Sequence, residues 1–396
     1  MLGFSSYAVN LVMLKSLWSL SNTESGLIAS GFFLGYMACV SMWSAMTDRR
    51  DARGIYGLGC LLSTLASASF ALLADDFFSA FVCQIALGVG VSATYMPGLR
   101  LLSEMKAGAS QSRYVSFYTA FFGLGVALSL LLSGWASETF GWRWSFAMSA
   151  SGPLLAWVLV WTATRPKAAP QTQSRPLGAQ TFFEVVFPVR AWSLALHTKP
   201  VRGYMLGYGV HCLELFAARS WTVAFLTFSI GLQSEAVPLS AAALAALINL
   251  VSIPSSILGN ELAMRVGRRF WIVLVMCSGS VVGVLMGLLS GAPWWFVVLL
   301  VGLHSMLIMA DSATLTAGLV ASAPAEVKGA AMGLYSLLGF GAGAVGPALF
   351  GAALDASGGS AQPVAWALAF LCIGVGCLAY PFMDRLIFGR FARPGS

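Results

Sequence analysis

The sequence predicts an all-α membrane protein with twelve transmembrane helices in two pseudo-symmetric six-helix halves. Apolar residues make up 58% of the 396 residues and charged residues only 9%, which is more apolar surface than a soluble core of this size can hide. Nine of the twelve apolar segments contain no charged residue. Nineteen of the 22 Lys and Arg residues lie in every second connection between segments, which is typical of a polytopic membrane protein.

A helix needs roughly 20 apolar residues to cross the hydrocarbon layer, and segments of about that length follow one another along the chain. No basic residue precedes the first segment, so we expect it to remain as a span and not to be removed as a signal peptide. The predicted spans are 1–20, 26–46, 54–73, 77–99, 114–136, 144–163, 203–228, 238–260, 270–290, 294–317, 329–353 and 363–383.

The basic connections predict the orientation, because short loops rich in Lys and Arg stay in the cytoplasm. Only three basic residues lie outside those connections, and the opposite connections carry acidic residues such as Asp75 and Glu235. We therefore expect a multi-pass protein of the plasma (inner) membrane with both termini cytoplasmic. The net charge of +7 is then a consequence of topology, and nucleic acid is not an expected partner.

The seven cysteines all fall inside predicted spans, at spacings that match neither metal-binding pairs nor a disulfide framework. We interpret them as small buried apolar residues. No motif of a membrane enzyme is found, so we predict no catalytic residue, no metal site and no cofactor.

The longest connection divides the chain into two halves. We predict an N-terminal half over 1–164, a cytoplasmic central loop over 165–202 and a C-terminal half over 203–396. The loop begins with a Pro-, Gln- and Ser-rich linker. Its later part, 182–196, is apolar and basic and favours a short helix at the membrane interface, interrupted at Pro188.

The two halves repeat each other at an interval of six spans. Asp48-Arg-Arg-Asp-Ala-Arg53 follows span 2, and Arg265-Val-Gly-Arg-Arg269 follows span 8. Gly-rich stretches also occur in both span 5 and span 11. Internal repeats of this kind are a construction principle of secondary transporters, whose substrate sites lie between the halves at mid-membrane.

These motifs resemble the major facilitator superfamily over the whole chain. The family's loop signature, Gly-x-x-x-Asp-Arg-x-Gly-Arg-Arg/Lys, is matched by Asp48, Arg49 and Arg53 in the first half and by Gly267, Arg268 and Arg269 in the second. Ser44, Asp51, Ala52 and Met264 depart from it, and Gln84 replaces the family's usual basic residue in span 4. The runs Tyr95–Arg100 and His211–Phe216 resemble the branch of cyanate- and nitrate-type porters.

The resemblance implies alternating access around a central cavity. It implies that spans 1, 4, 7 and 10 face this cavity. It also implies that Asp48, Arg49 and Arg53, with Arg268 and Arg269, latch the cytoplasmic ends of the spans as a conformational gate. The alternative is that these charges only set orientation.

Ionisable residues inside spans are functional candidates, because an unpaired charge in hydrocarbon is costly. Glu214 lies 11 residues past Gly203, roughly 16 Å along the helix and near mid-membrane. His211 lies on the same face. Two interpretations remain open. Glu214 either exchanges a proton beside His211, or permanently neutralises Arg219 or Lys15.

The remaining candidates surround the same predicted cavity. Lys15 and Arg219 would make it positive and suited to an anion, although Lys15 can also extend to the interface. His304 and Asp311 share a face of span 10, where Asp311 is expected near the cytoplasmic end as a cap or gate. Tyr95 and Asn249 are predicted hydrogen-bonding residues of the cavity.

Together these observations predict a secondary active transporter of a small solute, organic or inorganic anions included, with protons as a coupled species. The expected partners are the substrate, protons and membrane lipid, and the expected state is a monomer. The alternatives are a polytopic receptor or sensor that binds without translocating, and a multidrug-type exporter.

Overall fold

The computed structural model describes residues 1–47, 50–105, 110–164 and 186–388, and every regular element in those ranges is helical. Eleven helical segments there are long and apolar enough to cross a membrane, and they coincide with predicted spans 2 to 12. The first predicted span is a shorter helix of 12 residues, about 18 Å long. It ends before a turn in which Ser19 has a φ of 51°.

In chain order the helices are α1 (Ser6–Leu17), α2 (Asn22–Met46), α3 (Ala52–Leu73), α4 (Phe77–Met105), α5 (Ser110–Phe140), α6 (Trp142–Ala163), α7 (Val189–His197), α8 (Lys199–Gly231), α9 (Ala241–Val266), α10 (Arg268–Leu288), α11 (Trp294–Ala310), α12 (Ser312–Ser322), α13 (Lys328–Ala356) and α14 (Pro363–Phe388), with a 3₁₀ turn at Ala325–Val327.

The chain divides by its internal contacts into two compact units. The first contains residues 1–20 and 28–188, and the second contains 21–27 and 189–396. In the first unit α3 packs against α4 and α6, and α5 packs against α6. Glycines let α2 and α4 approach closely, since a Cβ on Gly35 would overlap the carbonyl oxygen of Ile85, and one on Gly88 that of Phe32.

A ladder of small polar side chains holds α1 against α5 and α6. Ser6 Oγ lies 2.9 Å from Ser133 Oγ. Asn10 donates through Nδ2 to Ser145 Oγ at 3.0 Å and accepts at Oδ1 from Ser137 at 2.6 Å. Because hydrogen bonds between helices replace water as partners inside a membrane, the ladder stabilises the packing of this short helix.

In the second unit α8 packs against α13 and α14, and α10 against α14. Aromatic side chains fill the region between these helices, with Trp221, Phe350 and Trp366 almost fully buried and in mutual ring contact. Residues 21–27 belong to this unit because Asp355 accepts hydrogen bonds from the backbone N–H groups of Asn22 and Thr23 at the start of α2.

Glycine with positive φ makes the turn within the second basic motif. Gly267 has φ +97°, a conformation that other residues rarely adopt, and it connects α9 directly to α10. A comparable turn at Gly141, with φ +93°, connects α5 to α6. The glycine of the predicted signature is thus required by backbone geometry.

Helix α7 begins directly after Pro188, as the sequence predicts for a helix interrupted there. Its Ala195 is fully buried, and Trp192 packs against the same core as Met205 and Leu315. The preceding part of the predicted interfacial stretch, up to residue 185, lies outside the described residues.

Candidate functional site

Two buried polar residues of the second unit, His211 and Glu214, lie on one face of helix α8. Its buried side chains include His211, Glu214, Ala218, Trp221 and Phe225, at spacings of three and four residues. The apolar members of this stripe are surrounded by aromatic rings. The two polar members lie near the middle of the 33-residue helix, where hydrogen-bond partners must come from other helices.

Two histidine–acid pairs join α8 to the span formed by α11 and α12. Nδ1 of His211 lies 2.7 Å from Oδ1 of Asp311, and Nε2 of His304 lies 3.5 Å from Oε1 of Glu214. Helix α8 supplies His211 and Glu214, and the α11–α12 span supplies Asp311 and His304. Each pair therefore combines a histidine from one span with an acid from the other, and the two pairs are crossed. All four side chains are 2–4% exposed, so both pairs are buried.

Glu214 has a second partner on α14. The thiol of Cys377 donates to Oε2 of Glu214 at 3.0 Å. The sequence predicts Cys377 to be simply a buried apolar residue, and this interpretation is incomplete because the thiol also satisfies a carboxylate oxygen. Four other cysteines, at positions 39, 83, 277 and 372, are only half-buried, in contrast to the prediction.

Aromatic rings pack beside the His211–Asp311 pair. Tyr208 stacks on Tyr335 with ring centroids 3.6 Å apart, and on His211 at 5.8 Å. The hydroxyl of Tyr335 lies 3.1 Å from that of Thr316 on α12. Gly339 makes this possible, because a Cβ there would overlap the Tyr208 ring. Tyr208 lies one turn before His211, a spacing that could have identified it from the sequence.

Asp311 lies at a break between α11 and α12, deeper than the sequence predicts. The span continues to Ser322, so Asp311 is 11 residues, about 16 Å, from its C-terminal end. Its side chain forms no cap of α12, and the expected capping interpretation is therefore wrong. At the break, the carbonyl of Ala310 accepts from the indole N–H of Trp271 at 2.9 Å.

Arg219 lies further along α8 and is half-buried. Its Nη2 donates to the thioether sulfur of Met309 at 3.6 Å. Among the residues that the structure describes, no carboxylate lies within 4 Å of its guanidinium. Glu214 therefore does not neutralise Arg219 in this structure, because its carboxylate faces His304 and Cys377.

The other predicted cavity residues are distributed over both units. In the first unit Lys15 lies in the last turn of α1 and is half-buried, and Tyr95 on α4 contacts the ring of Phe122 at 5.8 Å. In the second unit Asn249 is buried on α9. Within the described ranges no three His, Cys, Asp or Glu residues form a group suited to a metal ion.

The predicted gate residues that the structure describes do not contact one another in a single cluster, and each has its own contacts. Asp48 and Arg49 lie outside the described residues. Arg53 is buried, donates to the carbonyl of Trp161 at 2.8 Å and lies 4.1 Å above its ring. Arg268 is half-buried at the start of α10.

Arg269 forms a two-pronged ion pair that the sequence does not reveal. Its Nη2 lies 2.7 Å from Oδ2 of Asp384, and its Nε lies 3.1 Å from Oδ1. Asp384 is fully buried near the end of α14. It was missed because the predicted span ends at residue 383, whereas the helix continues to Phe388.

A family model of the Major Facilitator Superfamily matches residues 1–347. The chain belongs to this superfamily. Solved structures of the same fold include a bacterial homolog of the human lysosomal transporter Spinster in an inward-facing, unoccupied conformation, at a TM-score of 0.74 and 17% identity over 99% of this chain and 96% of that one. A peptide transporter in complex with sulfate matches at a TM-score of 0.73 and 16% identity, over 98% and 92% of the two chains.

Curated superfamily members resemble parts of the chain. A probable sphingolipid transporter, spinster homolog 1 of Arabidopsis thaliana, is 22% identical over 53% of this chain and 43% of its own length. The niacin transporter of Acinetobacter baylyi is 24% identical over 36% and 32%. A probable L-galactonate transporter of Escherichia coli is 22% identical over 60% and 53%. The chain thus spans about a third to a half of the length of these relatives.

Proposed function

We propose that this protein is a secondary transporter that moves a small organic anion together with protons by alternating access. Membership of the superfamily supports transport, and two of the relatives are named as transporters of niacin and L-galactonate, which are carboxylic acids. The crossed histidine–acid pairs are the observation that carries the proton coupling.

Arg219 supports an anionic substrate. Its half-buried guanidinium lies in a membrane-spanning helix, and its described hydrogen bond is to a thioether, which is a weak acceptor. A guanidinium binds a carboxylate through paired, charge-assisted hydrogen bonds. The side chain therefore has donors to offer to a substrate carboxylate within a region that otherwise disfavours charge.

The pairs suit proton exchange because each is neutral when it holds one proton. With no proton a pair carries one negative charge, and with two protons it carries one positive charge. Burial penalises both charged forms. A pair closed off from water is thus least costly in its neutral form, and a conformation that admits water lowers the cost of changing its charge.

The position of the pairs connects protonation to the conformation of the span. Asp311 lies at the α11–α12 break, and His211 and Glu214 are three residues apart on α8, about 4.5 Å along its axis. A change of charge in one pair changes the attraction between these two spans. Broken spans at mid-membrane are a recurrent device of secondary transporters.

The orientation is part of the same proposal. Both termini and the central connection are cytoplasmic, in a plasma (inner) membrane, as the basic connections favour. The residues of the two signature loops then lie on the cytoplasmic side.

Uptake by proteoliposomes tests the proposal. Radiolabelled nicotinate, galactonate and the neutral sugar arabinose are offered with and without an inward proton gradient. We expect one of the two anions to accumulate, dependent on the gradient, with no accumulation of arabinose. Binding of an anion without accumulation would favour a receptor, and equal uptake of the neutral sugar would contradict the anion preference.

A further inference from the structure

A basic groove lies beside α7, at the start of the membrane-spanning helix α8. It has a volume of about 510 Å³. Trp192, Leu196 and Leu334 supply apolar walls, and His197 and Arg202 supply polar groups. Neither histidine–acid pair lines it, so the groove is separate from the candidate transport site.

Helix α7 exposes apolar side chains next to these basic groups. Val189 is 61% exposed and Leu194 is 60% exposed, while Ala195 on the other side is fully buried against the core. Exposed leucines beside basic residues are costly in water but favourable at a membrane interface, where the leucines enter the acyl region and the bases face the headgroups.

The charges around the groove are predominantly positive. Arg190, Lys199 and Arg202 are exposed on α7 and on the first turn of α8. The 3₁₀ turn that packs against α7 contributes one exposed carboxylate, Glu326, and is followed by the half-buried Lys328. Among the described residues of these elements the cations therefore outnumber the acid Glu326, and the groove favours an anionic ligand.

We infer that this groove binds the headgroup of an anionic phospholipid. Arg202 and His197 contact the phosphate, and Trp192, Leu196 and Leu334 contact the glycerol and the first acyl carbons. The combination of an anion-binding edge, an apolar floor and neighbouring exposed leucines matches a phospholipid better than a free anion. Tryptophan is also favoured at the depth where headgroup and acyl chain meet.

Thermal unfolding of the purified protein in detergent tests the inference, because a ligand that binds the folded state raises the apparent stability. Phosphatidylglycerol and phosphatidylcholine are added at equal concentrations. We expect phosphatidylglycerol to raise Tm more, and the Arg202→Gln/His197→Gln double variant to lose most of this difference. The loss of the Arg202 charge alone should weaken phosphatidylglycerol binding by about five-fold.

Matched variants separate a specific groove from a general charge effect. Arg265→Gln removes an exposed cation at the end of α9 and should keep the full phosphatidylglycerol increment, as should the charge-preserving Arg202→Lys. Equal increments from the two lipids, or an unchanged increment in the double variant, would overturn the inference. An equal increment from soluble glycerol phosphate would overturn the assignment to a phospholipid.

Discussion

Nδ1 of His211 lies 2.7 Å from Oδ1 of Asp311, where the span formed by α11 and α12 is broken. Both side chains are buried. The contact joins the continuous helix α8 to the other span at the point where that span is broken.

Replacement of one or both members of this pair should show how strongly the two side chains stabilise each other. Asp311→Asn leaves His211 without its carboxylate partner, and we expect unfolding to become easier by about 1 to 3 kcal/mol, the cost of leaving a buried polar group poorly satisfied. The double variant His211→Asn/Asp311→Asn should recover at least about 1 kcal/mol relative to the sum of the single variants. Thermal unfolding of the parent protein, the two single variants Asp311→Asn and His211→Asn, and the double variant checks this. Losses in the single variants that add up exactly to the loss in the double variant would contradict it.

The ion pair of Arg269 with Asp384 should be structural. Arg269→Gln leaves a fully buried carboxylate without its cation, so we expect a loss of about 3 to 5 kcal/mol and a lower yield of folded protein. Arg268→Gln is the matched control, since the adjacent half-buried arginine makes no ion pair with a described carboxylate. Detergent-solubilised Tm measurements compare them. Similar losses in both variants would argue for a general effect of charge.

The polar ladder of the first unit should determine whether α1 stays in place. Asn10→Leu removes the bonds to Ser145 and Ser137, and interhelical bonds of this type contribute about 0.6 kcal/mol on average and up to about 1.7. We expect a lower Tm of the purified protein. Ser151→Ala removes only a bond to the carbonyl of Met148 within the same helix and should have little effect. An unchanged Tm in Asn10→Leu would show that the ladder is dispensable.

Arg219 should set affinity for the anion. Arg219→Gln removes a charge-assisted hydrogen bond, which is worth about 1.5 to 3 kcal/mol, so KM for the transported anion should rise by about 10- to 150-fold. Arg219→Lys keeps the charge, so its KM should lie between that of the parent protein and that of Arg219→Gln. Anion exchange in proteoliposomes measures KM without requiring a proton gradient. A KM equal to that of the parent protein would exclude this role.

Hydropathy and length predict spans 2 to 12 well because each helix must satisfy its own backbone hydrogen bonds in lipid. The same argument identifies Glu214 and Asp311 as unusual residues. It cannot select their partners, because the crossed pairing depends on how α8 and the broken span are rotated and aligned. That information is distributed over residues far apart in the chain, such as Gly259, whose lack of a side chain lets α9 meet the backbone at Ala310.

Other features were missed for identifiable reasons. Asp384 follows the last apolar residue of its segment, where a charge normally faces water, yet the helix continues and buries it. Cys377 lies in an apolar segment, so the sequence alone predicts a buried apolar residue. Its hydrogen bond to Glu214 becomes visible only in the folded structure. The residues of the polar ladder are mostly serines, which are common in spans, so their alignment becomes visible only when α1, α5 and α6 are placed together.

The central claim is that Glu214 takes part in proton coupling, and Glu214→Gln tests it most directly. The variant keeps the shape of the side chain but cannot ionise, and Glu261→Gln, at an exposed position on α9, is the matched control. The measurement is accumulation of the transported anion in proteoliposomes under an inward proton gradient, compared with exchange of the same anion without a gradient. We predict that Glu214→Gln abolishes accumulation and retains exchange, while Glu261→Gln retains both. A folded Glu214→Gln protein that still accumulates the anion against its gradient would contradict the account.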